Sequence, residues 1–237
     1  LDGWVLECGR HGGENSIGAG SIGGVDAIVF DWDGTLIDSL PAIFDANKRV
    51  LAEHGLPFDE ERYRAAYVPD WRLMYQRLGV PDEHLDTIGS RWLELYREID
   101  EAGLLPRVAE SLRRLSEAGF VMGIVTAGDR DVVEDQLLRY GLGDLLPVRV
   151  FGTDPIASKP HPDPLLLALR QLGRIERIAT ARYVGDVPDD MRMALAVGTL
   201  GIGIESTIGT RDSLVEAGAS AVYPSVAEFV DALLGPG

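Results

Sequence analysis

Six short apolar runs punctuate the chain, at 26–30, 120–125, 148–151, 181–184, 200–204 and 221–223. Runs of this length, rich in Val, Ile and Phe and set off by turn residues, predict buried β-strands. Between them the apolar positions recur at helical spacing. Leu40, Ile43, Phe44, Val50 and Leu51 mark a helix over 40–54 that Gly55 stops, and Val108, Leu112 and Leu115 mark another that ends at Gly119. Helical patterns also follow 126, running to about Tyr140, cover Leu165–Leu172, and follow 188. Strand and helix thus alternate from Asp26 onward, which predicts an α/β fold with a doubly wound, mainly parallel sheet.

The alternation breaks once. From Leu56 to about Gly103 the pattern is helical throughout, with Trp71, Met74, Tyr75 and Leu78 in one segment and Ile88, Trp92, Leu95, Tyr96 and Ile99 in another. A helical stretch of this size just after the first strand and helix predicts a small inserted subdomain over 41–103, carried by a core formed from 25–40 and 104–237. Residues 1–24 are rich in Gly and Ser, lack sustained periodicity and lack the apolar segment of a signal peptide, so they read as a flexible extension. Gly18–Gly23 formally matches the Gly-x-Gly-x-x-Gly dinucleotide fingerprint, but it precedes a strand instead of following one.

Composition narrows the partners. The 237 residues, 46% hydrophobic and 25% charged, suit one large domain or a core with an insert. A formal charge of −16 argues against nucleic acid or an anionic membrane as partner. The single cysteine, Cys8, forms no intrachain disulfide and is compatible with a reducing compartment. No run is long and apolar enough to span a bilayer. The default expectation is a cytoplasmic protein, monomeric or homodimeric, acting on a small molecule.

Polar residues gather where the apolar runs end. The first run leads into Asp31-Trp32-Asp33-Gly34-Thr35-Leu36-Ile37-Asp38-Ser39. Two carboxylates in one tight turn repel each other unless a cation or hydrogen-bond donors hold both ionised, so a bound cation is expected here. A calcium loop would need further oxygen ligands where Leu36 and Ile37 stand. After the second run, Thr126 is followed by Ala127 and Gly128; its hydroxyl suits an oxyanion, although a plain helix cap is the commoner use. Lys159 lies just before a helix in a proline-rich segment, where its ammonium can neutralise phosphate and help keep Asp31 ionised. His161 nearby has no visible partner and reads as structural. After the fourth run, Asp186, Asp189 and Asp190 form a hard oxygen cluster suited to Mg²⁺. An acidic helix start accounts for Asp189 and Asp190, but not for Asp186. All these residues fall at predicted strand ends, where a doubly wound sheet collects its catalytic groups, so they predict one metal-dependent phosphate site.

In order and spacing these stretches resemble the four motifs of the haloacid dehalogenase superfamily, over about residues 26–234. The helical insert is similar to the cap of its phosphoglycolate phosphatase-like branch. The resemblance implies Asp31 as nucleophile, Asp33 as acid and base, Thr126 as donor to a phosphoryl oxygen and Lys159 as the neutralising charge. It implies Mg²⁺ at Asp31, the Asp33 carbonyl, Asp186 and Asp190, with Gly34, Thr35, Ala127 and Gly128 near the substrate. Trp32 is bulkier than the aliphatic residue usual between the two aspartates, and Asp189 beside Asp190 blurs the second acidic position. In the cap, Trp71 is expected to pack in the core and Arg72 to meet the leaving group. The implied activity is hydrolysis of a phosphoglycolate- or sugar-phosphate-like monoester through an aspartyl phosphate. A sugar-phosphate mutase and a phosphate-binding module without turnover are the alternatives.

Overall fold

A computed structural model describes residues 24–68, 70–99 and 102–236. Apart from Gly24, the expected N-terminal extension, with its Gly18–Gly23 stretch and Cys8, lies outside the described residues. The six apolar runs form six strands: β1 (Ala27–Phe30), β2 (Val121–Val125), β3 (Val148–Val150), β4 (Ala181–Gly185), β5 (Leu200–Ile204) and β6 (Ala221–Tyr223). They build one parallel sheet in the order β3-β2-β1-β4-β5-β6. This is the doubly wound α/β architecture that the alternation predicts.

β1 is buried on both faces, which is why its sequence is a continuous apolar run. Ile28 and Phe30 pack with Leu112, Ile124 and Val184 on one side, and Ala27 and Val29 with Leu165, Leu169 and Tyr183 on the other. Helices α5 (Val108–Glu117), α6 (Arg130–Tyr140) and α10 (Val226–Leu234) supply the first layer, and α7 (Asp163–Gln171) and α8 (Pro188–Val197) the second. A short α9 (Arg211–Glu216) covers β5 through Leu214.

The register levels the strand ends. Phe30 lies opposite Ile124 of β2 and opposite Val184 of β4, so Asp31, Thr126 and Asp186 leave the sheet within two residues of one line. The chain runs outward from β1 through β2 to β3, then crosses back to β4 on the other flank of β1. Ligands of open α/β sheets bind at such a reversal, beyond the carboxyl ends of the strands.

Between β1 and α5 stand four α-helices: α1 (Leu40–Glu53), α2 (Glu60–Ala66), α3 (Trp71–Leu78) and α4 (Leu85–Ile99). They enclose a core of their own, with Val50, Leu51, Tyr63, Tyr75, Ile88 and Tyr96 among its buried members. The chain leaves and re-enters the sheet domain side by side. Ile37 and Leu104 form an antiparallel bridge, the Asp38 N–H donates to the Gly103 carbonyl at 2.8 Å, and the Leu105 N–H donates to Leu36 at 3.0 Å. Just before it, the Trp32 carbonyl accepts N–H groups from Leu36 at 2.9 Å and Ile37 at 3.1 Å, which folds the turn after Asp31. Among the described residues no helix is long and apolar enough to cross a membrane.

Candidate active site

Asp31, one residue past β1, meets a lysine from the other side of the site. Lys159, in the segment between β3 and α7, places Nζ 2.7 Å from Asp31 Oδ1 and 2.8 Å from Asp190 Oδ1. Asp190 sits in the first turn of α8 because Pro188 opens that helix and the Val187 N–H donates to Asp190 Oδ2 at 3.1 Å. The Tyr183 hydroxyl adds a bond of 3.2 Å to Asp190 Oδ1. Asp189, by contrast, turns outward to Arg192, which resolves the two adjacent carboxylates. Asp186 follows β4 directly and accepts from Thr35 Oγ1 at 3.2 Å.

Three carboxylates, those of Asp31, Asp186 and Asp190, are buried with oxygens within 4.8 Å of one another. Burial, above all, raises the pKa of Asp31; Lys159 pulls it down, but Asp190 and Asp186 push the same way as burial. Burial and then Asp190 push Asp186 up to about 7, against Ser206, Lys159 and Thr35. Burial alone would lower Lys159, yet Asp190 and Asp31 together hold it above its ordinary value, so it stays charged. One ammonium among three carboxylates leaves a negative excess. Asp186 Oδ2 is buried and accepts no hydrogen bond. A hard divalent cation fits this donor set, because it would satisfy that oxygen and hold all three groups ionised.

A cavity of about 330 Å³ opens over this cluster. Its floor includes Asp31, Asp33, Thr126, Ala127, Gly128, Lys159 and Asp186, and helices of the insert form its roof. Thr126 is held in place as its Oγ1 accepts the Gly128 N–H at 2.9 Å. The Asp33 carboxylate approaches Gly128, where an added Cβ would lie 3.1 Å from Oδ2. It therefore stands apart from the three clustered carboxylates, facing the cavity.

The sequence profile of the haloacid dehalogenase-like hydrolases matches residues 28–204. The chain belongs to that family. It is 33% identical over 199 residues to the phosphoglycolate phosphatase of Synechococcus elongatus, covering 81% of this chain and 90% of that one. It is 31% identical over 214 residues to the protein named Probable phosphatase IndB of Dickeya dadantii, covering 86% and 92%. A solved hydrolase structure from Pseudomonas syringae matches with a TM-score of 0.79 at 26% identity, covering 88% of this chain and 97% of that one.

In this haloacid dehalogenase-like hydrolase several expected contacts fall elsewhere. Gly34 and Thr35 do not line the cavity; the Trp32 turn folds them under it, against the Asp186 carboxylate. Arg72 and Trp71 both stand away from their expected places. Arg72 pairs with Asp86 and lies over the Trp71 ring, 4.7 Å from its centroid, and does not reach the cavity. Trp71 lines it. The reason is geometric: Trp71 shares the face of Met74, Tyr75 and Leu78, whose N-terminal end meets the cavity instead of another helix, and Arg72 is rotated away from that face. His161 stays outside the cavity, where its Nδ1 accepts the Asp163 N–H at 3.3 Å.

Two site glycines were not singled out by the sequence reading. A Cβ on Gly152 would fall 2.1 Å from the Ala127 carbonyl oxygen, and one on Gly209 would fall 1.8 Å from that of Asp186. Each lets a neighbouring loop lie directly against a strand-end loop of the site. Gly152 carries a faint signal, since it closes the third apolar run. Gly209 carries none, because only the fold brings its loop to Asp186.

Proposed function

We propose that the chain is a Mg²⁺-dependent phosphatase that hydrolyses small phosphate monoesters through an aspartyl phosphate on Asp31. The observation that carries this reading is the buried ammonium of Lys159 bridging Asp31 and Asp190 beside the unsatisfied Asp186 Oδ2. Such an array pays a large desolvation cost with no evident gain for folding, and it lies at the floor of a cavity.

Asp31 attacks phosphorus in line, so that the bond to the leaving oxygen breaks as the acyl phosphate forms. Lys159 holds Asp31 Oδ1 by hydrogen bond and keeps the attacking carboxylate oriented and charged. Asp33 gives its proton to the departing alkoxide and, as a carboxylate, takes one from the water that cleaves the aspartyl phosphate, restoring Asp31 and releasing phosphate. The Thr126 hydroxyl and the Ala127 N–H would donate to phosphoryl oxygens. When bound, Mg²⁺ is held by Asp31 and Asp186 with Asp190 beside them, and it supplies positive charge to the phosphoryl group and to the carboxylates. The mutase alternative needs the roof to hold a sugar through its hydroxyls, and that roof is mostly aromatic and aliphatic, which favours hydrolysis.

The test is phosphate release from a panel of monoesters, with Mg²⁺ and with chelator, for wild type, Asp31→Asn and Asp186→Asn. Mg²⁺-dependent release lost in both variants is expected. Folded wild type that releases no phosphate from any ester overturns the reading, and turnover of a sugar phosphate without release selects the mutase.

A further inference from the structure

The two ends of the cavity differ in kind. The floor carries the carboxylates, Thr126 and Lys159; the roof presents Ile43, Tyr63, Tyr67, Trp71, Met74 and Trp92. Lys159 is the one cation among the described lining residues, and Asp31 and Asp190 already share its ammonium. No arginine is among the described lining residues. Arg64 donates to the Thr207 carbonyl, Arg72 pairs with Asp86 and Arg130 with Asp154, while Arg97 lies 3.8 Å from the lining residue Asp129. A second anionic group on the substrate would thus find no unshared cation in the described lining, and it would face the Asp33 carboxylate.

Sugar hydroxyls fare little better. The Asn47 amide in the roof is held by its neighbours, with one Nδ2 hydrogen donated to the Ile43 carbonyl and Oδ1 accepting from the Tyr75 hydroxyl. Tyr63 and Tyr67 carry hydroxyls, which are neutral groups on otherwise aromatic side chains of the lining. What remains for the leaving group is mostly aromatic and aliphatic surface, with the unpartnered Trp92 indole N–H as a further neutral donor among the described residues of the roof. Trp71 is its clearest part: the side chain is 39% exposed, and its ring is seated over Gly89, where a Cβ would fall 2.7 Å from Cη2. Glycine is a poor residue inside a helix, so its presence in α4 serves the indole above it. With Arg72 over one face of that indole, the part that lines the cavity offers apolar contact to another ring. At about 330 Å³ the space holds a phosphate and one ring system, near the lower bound of small-molecule sites.

We infer that the natural ester joins phosphate to an apolar, ring-bearing alcohol that carries no charge beyond the phosphate. This rests on the phosphatase reading and narrows it away from phosphoglycolate-like and sugar-phosphate-like esters.

The experiment compares kcat/KM of the full chain with Mg²⁺ for 2-phenylethyl phosphate, phosphoglycolate and ribose 5-phosphate. The phenylethyl ester is expected to lead by about tenfold or more, and Trp71→Ala to shrink that lead, chiefly through KM. Release that favours phosphoglycolate or ribose 5-phosphate overturns the inference and leaves the phosphatase reading standing. If no ester is hydrolysed, the phosphatase reading fails and calorimetry decides the inference separately. Tighter binding of 3-phenylpropylphosphonate than of 3-phosphonopropionate supports it, and the reverse order overturns it.

Discussion

Lys159 Nζ lies 2.7 Å from Asp31 Oδ1, a buried ion pair between segments 128 positions apart in sequence. Its partners differ in what their loss does. Lys159→Met leaves Asp31 and Asp190 as buried carboxylates without their shared cation. The expected cost is about 3–5 kcal/mol of folding stability together with loss of turnover. Asp31→Asn also ends turnover, but it removes a charge from a crowded negative site, and Lys159 keeps Asp190. Its stability without metal is expected to equal or exceed that of wild type. Urea unfolding of both variants beside a phosphate-release assay checks the contrast.

The raised pKa of Asp186, about 7, fixes a sign. From about pH 4, where an unfolded carboxyl releases its proton, up to pH 7, the folded chain holds a proton that the unfolded chain has lost. Without divalent metal, stability contributed by this group therefore falls as pH rises through that window. Mg²⁺ is expected to offset the fall, with a larger thermal shift at pH 7.5 than at pH 5.5, because protons compete with the ion at low pH. Asp186→Asn removes this group's part of the slope, leaves that of Asp31, and weakens the shift. Thermal melts at several pH values, with Mg²⁺ and with chelator, measure all three.

Trp32 separates the two aspartates of the first motif, and its indole Nε1 donates to Gln136 Oε1 at 2.7 Å. Gln136 Nε2 in turn donates to the Tyr96 hydroxyl in α4 at 3.3 Å. The bulky residue is thus fully buried and hydrogen-bonded into both the sheet domain and the insert. Trp32→Phe takes the donor away from Gln136 and shrinks a packed side chain, at an expected cost of about 2–4 kcal/mol. A cycle with Gln136→Leu should show coupling of about 1 kcal/mol or more by denaturant unfolding.

Gly152→Ala would drive a methyl group into the Ala127 carbonyl, so the 126–128 loop must move. A shift of about 1 Å at a positioning loop lowers kcat/KM by about a hundredfold. Steady-state kinetics on the best ester, with circular dichroism to confirm folding, test this.

The sheet was legible because a strand buried on both faces must be apolar throughout, as Ala27–Phe30 is. Asp31, Thr126, Lys159 and Asp186 were legible because each stands where an apolar run gives way to polar residues or just before a helix, and parallel register brings such ends level. The choice between Asp189 and Asp190 needed the phase of α8, which turns one inward to Lys159 and the other outward to Arg192. Trp71 and Arg72 misled for a related reason: helical spacing tells which residues share a face, but not whether that face meets protein or empty space. Gly209 was illegible outright, since its constraint comes from a backbone distant in sequence.

The antiparallel bridge between Ile37 and Leu104 closes the four-helix excursion at its neck. Seen from the sheet, everything between those residues is one loop with adjacent ends, and the entropy of closing a loop grows only with the logarithm of its length. The roof can therefore lengthen, shorten or exchange its wall residues while the floor keeps its register and its carboxylates. Descent with change in such a chain is free to diversify the molecules admitted far faster than the bond that is broken.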